Sequence, residues 1–142
     1  MRFWDSSAVV PLVVRQPASP DVGGWLAEDG VVVAWTLTAV EVISALRRLV
    51  REGALPERAS REAEALAAEI LRRAHVVSDV ERVKGLAARL LRIHPLRAGD
   101  ALQLGAALAW ADGHAEGAVL HTLDRRLAEA AEREGFRVVP PG

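Results

Sequence analysis

The chain switches repeatedly between short unbroken apolar runs and longer stretches whose apolar residues recur every three or four positions. The runs are Arg2–Trp4, Val31–Trp35, His75–Val77, Ala118–Thr122 and Phe136–Val139. A continuous β-branched run such as Val31–Trp35 marks a strand buried on both faces. The stretches between the runs read as helices. Ser7–Val14 is a short helix stopped by Pro17, with Pro11 expected in its first turn, where proline is tolerated. Pro20–Asp29 is a second, closed by Gly30, with Trp25 and Leu26 facing inward. Thr36–Arg51 carries Val40, Ile43, Leu46, Leu49 and Val50 at helical spacing and stops at Gly53. Glu57–Arg73 is rich in Ala and Glu. Ser78-Asp79-Val80-Glu81 has the spacing of a capping box and opens a helix to about Leu91. Ala101–Trp110 is so apolar that it must be mostly buried, and Gly113 ends it. Asp124–Arg133 is the last helix, and Gly135 separates it from the final run.

This order predicts an α/β fold in three layers, α/β/α, with a mainly parallel central sheet of about five strands. Right-handed crossovers restrict its topology. In such sheets the ligand crevice lies beyond the C-terminal strand ends, where strand order reverses. Asp5 follows the first strand and Asp124 the fourth. If those strands are central neighbours, both carboxylates reach the crevice, and helix starts after the second and third strands bring Glu41 and Asp100 there.

Three or four carboxylates in one pocket form a site for a hard cation, because Mg²⁺ and Mn²⁺ prefer oxygen ligands. Each acid also has a simpler role open to it. Asp5 is placed to cap the first helix, in competition with Ser6 and Ser7. Thr38-Ala39-Val40-Glu41 fits a capping box. Asp100 and Asp124 precede helices they could cap. Their shared rim favours the cation site, with the hydroxyls of Ser6 and Thr122 as supporting groups that orient ligands or metal-bound water.

Composition narrows the chemistry. The chain has 142 residues, the size of one domain spanning 1–142, and no cysteine. Disulfides, zinc–thiolate centres and cysteine nucleophiles are thereby excluded. No apolar run approaches the roughly 20 residues needed to cross a bilayer, and the N-terminal segment lacks the features of a signal peptide, so a cytoplasmic protein is expected. The formal net charge of −1 gives no global field for nucleic acid; any such binding must use a local basic patch or bound metal. Lys84 is the only lysine, and Asn and Tyr are absent, a bias that fits a GC-rich genome and, less well, a thermophile. His75, His94, His114 and His121 show no ligand-like pairing and read as structural or surface residues. No phosphate-binding glycine loop or nucleophile elbow occurs. Trp35, at a strand end, is the best candidate for stacking on RNA. Arg47, Arg48 and Arg51 suit a helix C-terminus or an RNA-facing patch, and Arg125 and Arg126 stand beside Asp124.

Trp4-Asp5-Ser6-Ser7 resembles the opening of a PIN-domain ribonuclease. Thr38–Val42, Leu96–Leu102 and Thr122–Leu127 resemble, in order, the segments that carry that family's second, third and fourth acids. The resemblance spans essentially the whole chain and is nearest to the VapC-like toxins of toxin–antitoxin pairs. It implies a five-stranded parallel sheet between helices and Mg²⁺- or Mn²⁺-dependent endonucleolytic cleavage of RNA. Asp5, Glu41, Asp100 and Asp124 would be the metal-holding and catalytic residues. A small antitoxin, bound through the early helices, and a homodimer are the implied partners. A PIN-like binding module, or a non-toxin PIN nuclease acting through protein partners, is the alternative. A phosphorelay receiver domain fits poorly, since Asp5 stands alone after the first strand and no lysine follows late in the chain.

Overall fold

The computed structural model describes residues 1–142. Its strands are β1 (Arg2–Trp4), β2 (Val32–Trp35), β3 (His75–Val77), β4 (Val119–His121) and β5 (Arg137–Val139). They form one parallel sheet in the order β3-β2-β1-β4-β5. The chain steps outward from β1 to β3, then returns to lay β4 against the free edge of β1. Phe3 sits beside Leu120 and Trp4 beside His121 in that pairing. Strand order therefore reverses at β1 and β4, which makes their C-terminal ends the crevice of this sheet.

The helices are α1 (Ser6–Val13), α2 (Ser19–Glu28), α3 (Thr38–Arg51), α4 (Glu57–Arg73), α5 (Val80–Ile93), α6 (Ala98–Ala111) and α7 (Arg125–Arg133). Side chains alternate across the sheet and divide the core in two. Trp4, Val32 and Ala34 pack against α1 to α4. Phe3, Val33, Trp35, Leu120 and Val138 pack against α5, α6 and α7. The expected three layers are thus present, with all four residues of β2 buried. No helix is long and apolar enough to cross a membrane.

Three local expectations are corrected. Pro11 lies in the middle of α1 rather than in its first turn, because Asp5 caps the helix and starts it at Ser6; proline there lacks the N–H that would bond back one turn, and α1 stops soon after. The N-cap of α5 is Asp79, not Ser78; its carboxylate accepts the Arg82 N–H at 3.2 Å. In α3 the buried stripe is Thr38, Val42 and Leu46, spaced four apart. Val40 and Ile43 instead face solvent at 63% and 43% exposure.

Candidate metal centre

Asp5 is the first residue past β1, and its backbone N–H donates to the His121 carbonyl at 2.9 Å, extending the β1–β4 pairing by one step. Its carboxylate caps α1 by accepting the Ser7 N–H at 3.3 Å. The same oxygen, Oδ2, accepts from Ser7 Oγ at 2.5 Å and Thr122 Oγ1 at 2.8 Å. Thr122 Oγ1 in turn accepts the Asp124 N–H at 3.0 Å, and Ser7 Oγ the Leu123 N–H at 2.9 Å. The turn after β4 is thus tied to the turn after β1 through one buried carboxylate. Burial holds the Asp5 carboxyl above its ordinary pKa; the Ser7 and Thr122 hydrogen bonds oppose that rise and the Asp124 charge adds to it.

Glu41 reaches the same place from the first turn of α3. Its Oε1 accepts from Gln103 Nε2 at 2.8 Å and its Oε2 from Ser6 Oγ at 3.3 Å. The capping-box role does not occur, because α3 starts at Thr38 with Leu37 as N-cap and no side-chain cap. Ser6 Oγ also lies 3.4 Å from Asp5 Oδ1, so one hydroxyl spans two of the acids. Burial raises Glu41, with the charges of Asp5 and Asp100 adding to it against the Gln103 hydrogen bond.

Asp100 lies in the first turn of α6, which begins at Ala98, rather than ahead of the helix. Burial raises its carboxyl, then the charges of Asp124 and Asp5, while the Arg97 N–H and guanidinium pull it down. Asp124 is the N-cap of α7; its Oδ1 accepts the Leu127 N–H at 2.9 Å, and no protein donor meets Oδ2. Both capping and cavity roles are open to that residue. Glu41, Asp100 and Asp124 line a cavity of about 660 Å³ that has no hydrophobic wall. Gly99 brings bare backbone to it, with a hypothetical Cβ only 3.9 Å from Glu41 Oε2.

The structure thus brings all four sequence-predicted acids, with Ser6 and Thr122, to one rim. Their donor set is oxygen only, which suits Mg²⁺ or Mn²⁺ and not a soft metal. No three of them already stand close enough to form a finished ligand cage. Asp5 is clamped by its hydrogen bonds, whereas Glu41, Asp100 and Asp124 are half-buried side chains.

Other candidates fall elsewhere. Trp35 is 2% exposed and packs in the core, so it is no stacking platform. His94 and His121 are buried and His75 and His114 exposed; the His121 ring turns away from the cavity and lies against Trp4 and Trp25. The basic cluster at the end of α3 divides, since Arg47 pairs with Glu57 at 2.8 Å while Arg48 lines the cavity. Gln103 escaped the sequence reading. Its signal was a single amide inside the apolar run Ala101–Trp110, where an unpartnered polar group is costly.

A model of the PIN domain family matches residues 2–133. Ribonuclease VapC45 and Ribonuclease VapC49, both of Mycobacterium tuberculosis, are each 30% identical over 138 residues, 97% of this chain and 94% of theirs. Among solved structures, M. tuberculosis VapC20, described as a Sarcin-Ricin loop cleaving toxin, superposes with a TM-score of 0.69 at 17% identity, over 96% of this chain and 97% of that one. FitAcB from Neisseria gonorrhoeae does so with a TM-score of 0.63 at 17% identity, over 97% and 96%.

Proposed function

The chain belongs to the PIN-domain family, and from that premise we propose that it is a divalent-metal-dependent endoribonuclease and the toxin of a toxin–antitoxin pair. The observation that carries this is the cluster itself: Asp5, Glu41 and Asp100, each held above its ordinary pKa by burial, share one polar rim with Asp124. Carboxylates that share a rim and raise one another's pKa are stabilised when a cation or protons join them. The names of the two ribonuclease relatives support RNA as substrate.

Asp5, Glu41, Asp100 and Asp124 would hold one or two Mg²⁺ or Mn²⁺ ions, directly or through water. A bound ion supplies Lewis-acid polarisation of the phosphate and a water of lowered pKa for in-line attack. The chain's own residues supply the positioning. Ser7 and Thr122 fix the Asp5 carboxylate, Gln103 fixes Glu41, and Ser6 bridges the two. Arg48, on the wall of the same cavity, offsets part of the acids' repulsion of an approaching phosphodiester.

A small antitoxin is the proposed protein partner. A groove of about 420 Å³ between α1 and α3, lined by Val10, Val40 and Glu41 among others, opens beside the acids. A segment laid there would cover the site. Exposed Leu91 and Ile93 at the end of α5 offer surface for the homodimer that we also propose, in a cytoplasmic setting; sedimentation measures that state.

The test is cleavage of structured RNA with Mg²⁺ or Mn²⁺, then with EDTA, beside an Asp5→Asn variant prepared identically. Metal-dependent cleavage lost in the variant is the expected result. Equal activity in both preparations means contamination and removes the reading. No cleavage in either, by protein free of any partner, favours the binding-module alternative.

A further inference from the structure

Every aromatic side chain of this protein is committed to packing. Phe3, Trp4, Trp35 and Phe136 are buried. Trp25 lies flat on His121, with ring centroids 4.7 Å apart and planes 2° apart, and Trp110 packs on Phe3. The chain has four Trp, two Phe and no Tyr; Trp25 and Trp110, the two that keep partial exposure, do not line the acidic cavity, so none stands there to face a nucleobase. Proteins that hold single-stranded nucleic acid commonly combine a basic track with aromatic platforms. Only the first of these is open here.

Several arginines on the outer faces of the helices are paired, Arg47 with Glu57, Arg72 and Arg73 with Glu69, Arg82 with Asp112, Arg89 with Glu134; Arg51, Arg61, Arg92 and Arg133 have no such partner but lie outside the acidic cavity. Arg48, Arg97 and Arg126 line the acidic cavity. None has a carboxylate within 4.0 Å, although Glu41, Asp100 and Asp124 line the same cavity. Arg125, a fourth lining cation, is drawn off to Glu129 at 3.6 Å. The three free guanidiniums come from α3, from the residue that opens α6 and from α7. They therefore stand around the acids rather than to one side. With a net charge of −1, no global field substitutes for them.

On the reading of this cavity as an RNA-cleaving centre, we propose that Arg48, Arg97 and Arg126 form a ring that grips the phosphates flanking the cleaved one, and that the RNA is held by its backbone with no base stacked on protein. A guanidinium binds phosphate oxygens through two parallel N–H donors and stays charged at any working pH. Such bonds carry no sequence information, so affinity is tolerant of sequence and steeply dependent on salt.

Binding is measured apart from cleavage, with Asp100→Asn as the parent protein and a fluorescently labelled single-stranded oligoribonucleotide, by anisotropy over a KCl series. Adding Arg48→Gln, Arg97→Gln or Arg126→Gln is expected to weaken binding and to lower the slope of log Kd against log salt by about 0.7 for each phosphate no longer neutralised. Arg61→Gln, on the outer face of α4, is expected to leave the slope unchanged. Tryptophan fluorescence of the parent is expected not to change as RNA binds. The proposal is overturned by unchanged slopes in all three variants, by an equal loss in Arg61→Gln, by quenching of tryptophan, or by a parent that binds no RNA. Cleavage by the native chain is scored separately: its absence overturns the nuclease reading, while the slopes still report on the ring.

Discussion

Gln103 holds Glu41. From the buried face of α6, its Nε2 donates to Glu41 Oε1 at 2.8 Å and to Thr38 Oγ1 at 3.0 Å, so one amide group fixes both a cavity carboxylate and the first residue of α3. Gln103 is buried, and its Oε1 has no protein partner. An amide placed in a core with only half its capacity used is retained against a desolvation cost, which is intelligible if the Glu41 orientation is what it secures. Gln103→Leu keeps similar bulk and removes both donors. It is expected to lower Mn²⁺ affinity, read by calorimetry, and RNA cleavage by about 10–100-fold, the usual effect of losing a group that orients a metal ligand. KM for RNA should stay unchanged. An unchanged metal affinity would reduce Gln103 to a packing residue.

Asp5 is the most buried of the acids and the most tightly hydrogen-bonded. Asp5→Asn should reduce cleavage by more than the roughly 100-fold ceiling typical of such orienting groups, because a carboxylate of the proposed metal site is removed. The same change should leave the metal-free fold intact or firmer, since it removes a charge that burial disfavours. Retained cleavage, or an unfolded variant, would contradict this.

Metal should stabilise the native chain. Saturation at about 100 times Kd is worth about 2.7 kcal/mol if the unfolded chain does not bind. Without metal, the raised carboxyls of Asp5, Glu41 and Asp100 keep protons to higher pH in the folded state than in the unfolded one. Their contribution is therefore greatest in acid and is lost as pH rises through the raised values. Thermal melts in EDTA should show this loss on going toward neutral pH, and Mg²⁺ or Mn²⁺ should offset it. Melts that do not respond to metal would count against the centre.

Much of this arrangement could be read from the chain, and the exceptions are instructive. α4 and β3 have the bounds that their patterns predict, Glu57–Arg73 and His75–Val77. The adjacency of β1 and β4, on which the meeting of Asp5 and Asp124 depends, is written in no local string; crossover rules narrow the choices without selecting it, and the structure supplies it. α3 carries two overlapping apolar stripes, and periodicity alone does not say which one meets the sheet. In the fold Thr38, Val42 and Leu46 turn inward, with Thr38 bonded to Gln103, and Val40 and Ile43 stay outside. Gln103 stands out as a lone amide in an apolar run, but what it holds was not legible, because its partners lie 62 and 65 positions away.

His121 should make stability pH-dependent from the other side. Its ring lies against both Trp4 and Trp25 and reaches the Val139 carbonyl at 2.9 Å through Nδ1. Arg2 stands 3.4 Å from Nε2, and the acids near it are Glu28 and Asp29. Burial depresses its pKa; the Val139 carbonyl and the two acids oppose that, and Arg2 adds to it. The unfolded chain then takes up a proton before the folded one. The stability from a neutral His121 is complete above the ordinary histidine pKa and is lost as pH falls through it toward the depressed value. Urea midpoints at neutral and mildly acid pH should fall further for the native chain than for His121→Gln. The carboxylate contribution is common to both proteins, so the difference isolates the imidazole; equal falls would exclude it.

Gly105 sets how closely α6 lies on α5. A Cβ there would meet the Val83 carbonyl oxygen at 3.1 Å and the Ala87 nitrogen at 3.3 Å, both backbone atoms that cannot swing aside. Gly105→Ala therefore pits a gain in helix propensity of up to about 1 kcal/mol against overpacking that typically costs about 1–3 kcal/mol. The net expectation is destabilisation, read as a lower urea midpoint with an unchanged m-value. Because α6 also carries Asp100 and Gln103, separating it from α5 should displace both and change cleavage as well. Gly85→Ala is the control, since its added methyl meets nothing within 4 Å and the propensity gain should appear alone. If Gly105→Ala were as stable as Gly85→Ala, the close approach of the two helices would not be what the glycine provides.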